Sequence, residues 1–167
     1  MGKRVLFVCV LLLTYICTSP VYAKKRSITV MTPFLAQPGT QLMVEAFEKA
    51  AHEKSWEVDV IDTSGDVAAL VSRMEDVVLQ KPDAIVINVD PKQINTGLLA
   101  ARDAGIPVFG MDSGVDSLLQ ANVTSNGYVM AAETATFVVD QLNGQGNVVM
   151  FIFEPYPPVQ MRGAIAE

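Results

Sequence analysis

The stretch PDAIVINVDPKQINTGLLAARDAGIPVFGMDSG, residues 82–114, decides the fold. Ala84-Ile85-Val86-Ile87 is a continuous apolar run rich in β-branched residues, the pattern of a strand buried on both faces of a parallel sheet. Asn88 and Asp90 mark its exit. Asp90-Pro91 offers an N-cap and a first-turn proline, Ile94, Leu98 and Ala101 recur at helical spacing, and Gly105 stops the helix. Ile106–Met111 then reads as a second strand that runs into Asp112-Ser113-Gly114. The unit is a βαβ crossover with polar residues at both strand exits. In open α/β sheets ligands bind outside the carboxyl ends of the strands, so those exits are where a site is expected.

The same rhythm extends in both directions. Ile28–Met31 reads as a first strand, joined by a loop over 32–39 to a helix whose stripe is Leu42, Met43, Ala46, Phe47, Ala50 and Ala51. Glu57–Asp62 is a second strand, and Val67, Leu70, Val71, Met74, Val77 and Val78 mark a second helix after the Thr63-Ser64-Gly65-Asp66 turn. Beyond the crossover come a short strand over Ala121–Thr124, a helix over Tyr128–Leu142 entered through Ser125-Asn126-Gly127, and a strand over Asn147–Phe153. Strands alternating with helices of this length predict an α/β fold with a doubly wound parallel sheet.

The amino end reads differently. Lys3 and Arg4 precede an apolar run over Val5–Cys17, and Val21-Tyr22-Ala23 supplies a cleavage site, the layout of a secretory signal over residues 1–23. Both cysteines, Cys9 and Cys17, fall inside it without a small-residue lipobox, so the exported chain is expected to carry no thiol, as suits a periplasm. No stable membrane insertion is expected after cleavage. Cleavage also lowers Lys plus Arg from 12 to 10 against 18 acidic residues, a net charge of −8 that argues against a nucleic-acid partner.

Catalytic motifs are missing. The chain has no G-x-G-x-x-G after the first strand, no phosphate-binding G-x-x-x-x-G-K-[ST] and no G-x-S-x-G elbow. His52, the only histidine, sits beside Glu53-Lys54 and reads as a solvated residue around which no metal set assembles. No carboxylate pair stands out, so no reaction, metal or cofactor is expected. Asp112 is the sharpest candidate: a carboxylate at a strand exit can accept two hydrogen bonds from a polyol, although Asp-Ser-Gly is equally a turn composition. Asn88 faces the same choice, Asp90 fits a cap, and Phe34 fits either ligand stacking or the core.

Ile28–Met31 leading to Pro38, the Asp62-Thr63 exit, Pro82–Asn88, Gly105–Val108 with Asp112, and Ser125-Asn126 occur in an order and spacing that resembles the ribose-type periplasmic sugar-binding proteins of ABC importers. The resemblance implies two α/β lobes joined by a three-segment hinge around a sugar, with an ABC permease and in some cases a chemoreceptor as partners. It implies a first lobe over 24–125 and the start of a second over 126–167. It places ligand contacts on the loop after the first strand, on Asp112, near Ser125-Asn126 and on Arg162; Phe34 in that loop, Asn88 at its strand exit and Ser113 beside Asp112 join them as candidate ligand-binding residues. A sensor module on the same scaffold, or an exported α/β enzyme, are the alternatives.

Two departures stand out. Ser113 follows Asp112 where pentose-binding members usually carry arginine, and Gly39-Thr40 replaces paired aromatics, so a solute other than ribose is expected. Residues 126–167 supply only the beginning of a second lobe by this resemblance. The reading is therefore of an incomplete two-lobe protein, with Asn147–Phe153 as an exposed edge strand, against the alternative of a natural single lobe.

Overall fold

The computed structural model describes residues 25–166. Five parallel strands lie in the order β2-β1-β3-β4-β5: β1 Ser27–Thr32, β2 Glu57–Asp62, β3 Ala84–Ile87, β4 Val108–Met111 and β5 Ala121–Val123. The apolar run of β3 pairs with β1, Ile28 opposite Ala84 and Met31 opposite Ile87, and these two strands form the buried centre. The chain moves from β1 to β2 on one side and then to β3 on the other. That reversal opens a crevice at the carboxyl ends of β1 and β3, the usual place for a ligand in such sheets.

Helices form where the apolar periodicity predicts them. α1 (Pro38–Glu53) starts on a proline and lays Val44 and Phe47 against Ile28, Val30 and Val86 on one face. α2 (Val67–Gln80) is capped by Asp66, whose carboxylate accepts from Ala69 N at 2.8 Å, and ends on Lys81 in the left-handed region. After β3, Asp90 caps a 3₁₀ turn (Pro91–Ile94) that leads into α3 (Asn95–Asp103), so the predicted crossover helix opens with a tighter turn. Leu70, Met74 and Val77 of α2 meet Leu98 and Ala101 of α3 over Met31, Ile85 and Ile87, which makes this face the larger core. α4 (Gly127–Gln141), capped by Asn126, packs on α5 (Pro157–Ala166) beyond the sheet.

Two expectations are corrected. The strand expected over Ile106–Met111 begins at Val108, because Ile106 N is bonded to Ala101 O at 2.9 Å and Pro107 has no N–H to give the ladder. No strand forms over Asn147–Phe153. That segment has no ladder neighbour among the described residues, and Phe151 is 95 % exposed, so its apolar character is left without a sheet to join.

Gly110 in β4 is a close-packing position. A Cβ there would come within 2.6 Å of Asn122 Oδ1 and would also strike Ser113 Oγ, two short side chains held to each other. Gly110→Ala is expected to cost about 1–2 kcal/mol by overpacking, read as a lower urea midpoint at unchanged m-value.

Candidate functional site

At the exit of β4 the backbone turns sharply. Asp112 has φ of 49°, a left-handed conformation that aspartate tolerates better than most residues, and its N–H is tied to Val123 O at 2.7 Å. Its half-buried carboxylate accepts from Thr124 Oγ1 at 2.5 Å, a length typical of a charge-assisted bond. Asp112 is thus a turn residue and also a fixed anionic acceptor above the sheet.

Beneath it lies Asn88, fully buried at the exit of β3. Its Oδ1 accepts from Thr32 Oγ1 at 3.1 Å and from Thr40 Oγ1 at 3.4 Å. Its Nδ2 donates to Met111 O at 2.7 Å and to the Tyr156 hydroxyl at 3.0 Å. One amide therefore joins β1, α1, β4 and the turn before α5. Buried polar groups of this kind need all their partners.

Tyr156 brings the carboxyl-terminal segment to the same point. Its hydroxyl donates to the Asp112 main-chain carbonyl and lies 3.1 Å from Asp112 Oδ2. Burial raises the phenol above its ordinary value, and the adjacent Asp112 carboxylate adds to that, so the group stays a protonated donor. The ring meets Phe34 edge-on with centroids 5.5 Å apart, and Phe153 meets Phe34 at 6.4 Å. Phe34 is half-buried and belongs to neither core cluster; it stands in the first loop, where a turn closed by Gln37 N on Phe34 O holds it.

Arg162 on α5 completes the cluster. Its Nη2 donates to Ser125 Oγ at 3.3 Å and lies 3.7 Å from Asp112 Oδ2, while its buried Nε has no hydrogen-bond partner among the described residues. Of the residues singled out in the sequence, Phe34, Asn88, Asp112, Ser125 and Arg162 converge here. Asn126 instead caps α4 by accepting from Val129 N at 3.1 Å. Ser113 is buried against Asn122, with Ser113 N and Oγ at 3.2 and 3.3 Å from Asn122 Oδ1, so its hydroxyl serves the β4–β5 connection. Tyr156 was not singled out. The signal for it is the run Pro155-Tyr156-Pro157-Pro158, an aromatic fixed between prolines at the mouth of a helix.

A cavity of about 280 Å³ opens among these groups, lined by Gln37, Gly39, Thr40, Asp112, Tyr156 and Arg162 together with three apolar side chains. A wider groove of about 1050 Å³ runs along the α1 face of the sheet past Ile28, Trp56, Val86, Phe109 and Val123. Its walls are mostly apolar, with polar groups gathered at the strand starts and exits. The smaller cavity is the better site for a polar solute, because donors and acceptors converge in it.

The family described as periplasmic binding protein domain matches residues 28–162. The ribose import binding protein of Bacillus subtilis is 27 % identical over 125 residues, 74 % of this chain and 41 % of that protein. An ABC transporter solute binding protein from Agrobacterium vitis with bound allitol is 29 % identical, with a TM-score of 0.78 over 86 % of this chain and 50 % of that one. An ABC sugar transporter subunit from Rhodobacter sphaeroides is 26 % identical, with a TM-score of 0.77 over 84 % of this chain and 50 % of that one. The chain spans about half the length, or less, of these relatives.

Proposed function

The chain belongs to the periplasmic binding protein domain family, and from that premise we propose that it binds a small polyhydroxy solute, a sugar or sugar alcohol, for an ABC importer. The observation that carries this is the meeting of Asp112, Ser125, Arg162 and Tyr156 over the carboxyl ends of β3 and β4, from two parts of the chain. A carboxylate accepts solute hydroxyls, a guanidinium donates to solute oxygens, and Phe153 in the cavity wall, backed by Phe34, offers an apolar surface to carbon. The similarity to relatives named for ribose import and for bound allitol supports the same solute class. Binding, rather than turnover, is the role proposed. Calorimetric titration with sugars, sugar alcohols and amino acids tests it: saturable binding of a polyhydroxy compound is expected, and binding of amino acids alone would overturn the reading.

Export is part of the proposal. The signal read over Met1–Ala23 lies outside the described residues, and among the described residues no helix is long and apolar enough to cross a membrane. Terminal mass analysis of the periplasmic product is expected to find Lys24 first. A product that retains Met1, or one acylated on Cys17, would contradict it. The partner proposed on this basis is an ABC permease, with a chemoreceptor as a further candidate.

A further inference from the structure

We infer that Tyr156 sets the size of the solute: its ring fills the part of the cleft above Asn88, so that a short open-chain polyol is accepted and a hexose ring is refused. This inference rests on the reading of the site as a polyol seat. Three observations support it.

First, the side chain is fixed. The hydroxyl is bonded on two sides, receiving the Asn88 amide proton at 3.0 Å and giving its own proton to Asp112. The backbone is fixed as well, because Tyr156 O accepts from Val159 N at 2.9 Å and Gln160 N at 3.0 Å, the first turn of α5. A residue that precedes proline is confined to extended conformations, and Tyr156 stands between Pro155 and Pro157. Swinging the ring out would break both hydroxyl bonds and the edge-on contact with Phe34, while Asn88 would keep Thr32, Thr40 and Met111. It therefore acts as a wall and not as a gate.

Second, the ring and hydroxyl stand where a solute would reach deepest. The phenol is at Asp112 itself and 3.1 Å from its Oδ2, in a position that a solute hydroxyl would otherwise take. The polar cavity that Tyr156 lines, on the Gly39, Thr40 and Arg162 side, is left with about 280 Å³, below the roughly 300 Å³ at which ordinary small-molecule sites begin, whereas the wider groove reaches Asp112, Thr124 and Ser125 without Tyr156 in its wall.

Third, the acceptor capacity left on Asp112 matches a short diol. An ionised carboxylate has about four acceptor directions. Thr124 fills one of them, and the Tyr156 oxygen, 3.1 Å from Oδ2 with its proton given to the main-chain carbonyl, covers the approach to another, which leaves two for neighbouring solute hydroxyls with Arg162 beside them. A phenol already in place thus reduces both the space and the hydrogen-bond demand of the site.

The test uses the full exported chain, titrated by calorimetry with glycerol, erythritol, ribitol, sorbitol and glucose. The wild type is expected to bind erythritol or ribitol at least ten-fold more tightly than glucose. Tyr156→Ala should shrink that ratio at least ten-fold by gaining affinity for glucose, whereas Tyr156→Phe, which keeps the ring, should hold it within about three-fold. Circular dichroism establishes that each variant folds; if Tyr156→Ala does not, Tyr156→Leu, which keeps an apolar contact for Phe34, is expected to shrink the ratio in its place. An unchanged ratio in the folded smaller variant, or a ratio lost in Tyr156→Phe, overturns the inference. If Asp112→Asn abolishes binding while the size ranking ignores position 156, the polyol seat stands and the role of Tyr156 falls. If the wild type binds none of the five, both fall.

Discussion

Replacing Asp112 with asparagine is expected to weaken binding of the tightest solute in the titration panel by about 1.5–3 kcal/mol, roughly 10- to 150-fold, the range for a hydrogen bond to a charged group. The carboxylate is positioned for this by its strand exit and by Thr124, and a neutral amide presents one acceptor in place of two oxygens. Asparagine is a better probe than alanine here. From the sequence alone, Asp112→Ala would be expected to spare stability, but φ of 49° means that alanine would also cost about 1–2 kcal/mol in the left-handed conformation. Asparagine tolerates that conformation, so its effect is read on the solute and not on the fold. Unchanged affinity in Asp112→Asn would leave Asp112 as a turn residue only.

The largest loss of stability is expected from Asn88→Ala. Removing this amide takes the acceptor from the Thr32 and Thr40 hydroxyls and a donor from the Met111 carbonyl and the Tyr156 hydroxyl, all at or near a fully buried position, although Thr32 Oγ1 still accepts from Phe34 N. A buried polar group left unsatisfied costs about 1–3 kcal/mol, and several share the loss here, so a fall of about 3 kcal/mol or more is expected. Denaturant unfolding measures it. Asn88→Asp should be no milder, because it places a charge in the interior and replaces two donors with an acceptor. A fall below about 1 kcal/mol would show that water replaces the amide and that the network is not the support of the site.

Much of the fold was legible because its signals are local. Glu57–Asp62 and Ala84–Ile87 form strands over the residues that the pattern names, and Asp66 and Asp90 each cap the helical turn next in the chain. Pairing was less legible. The run Asn147–Phe153 is as apolar as β3, but a strand is defined by its neighbour, and apolarity does not name one. The same divide runs through the site. Asp112 and Asn88 could be found from their places at strand exits. Ser113 could not be told apart from Asp112 in that way, because its fate depends on Asn122 in the next strand. Tyr156 is 44 residues from Asp112 in the chain, and only the packing of α5 against the sheet exits makes them partners.

The wiring of Asn88 also bears on the order in which a ribosome delivers this chain. Thr32, Thr40 and Met111 all precede residue 112, so three of the four groups bonded to the amide are synthesised before the chain passes the second strand exit. Tyr156 emerges last. Nascent domains generally fold from the amino end, so the first sheet strands can assemble with the amide already largely satisfied. The phenol, 44 residues beyond Asp112, is the one partner of the amide that cannot be in place until the rest of its network has been made.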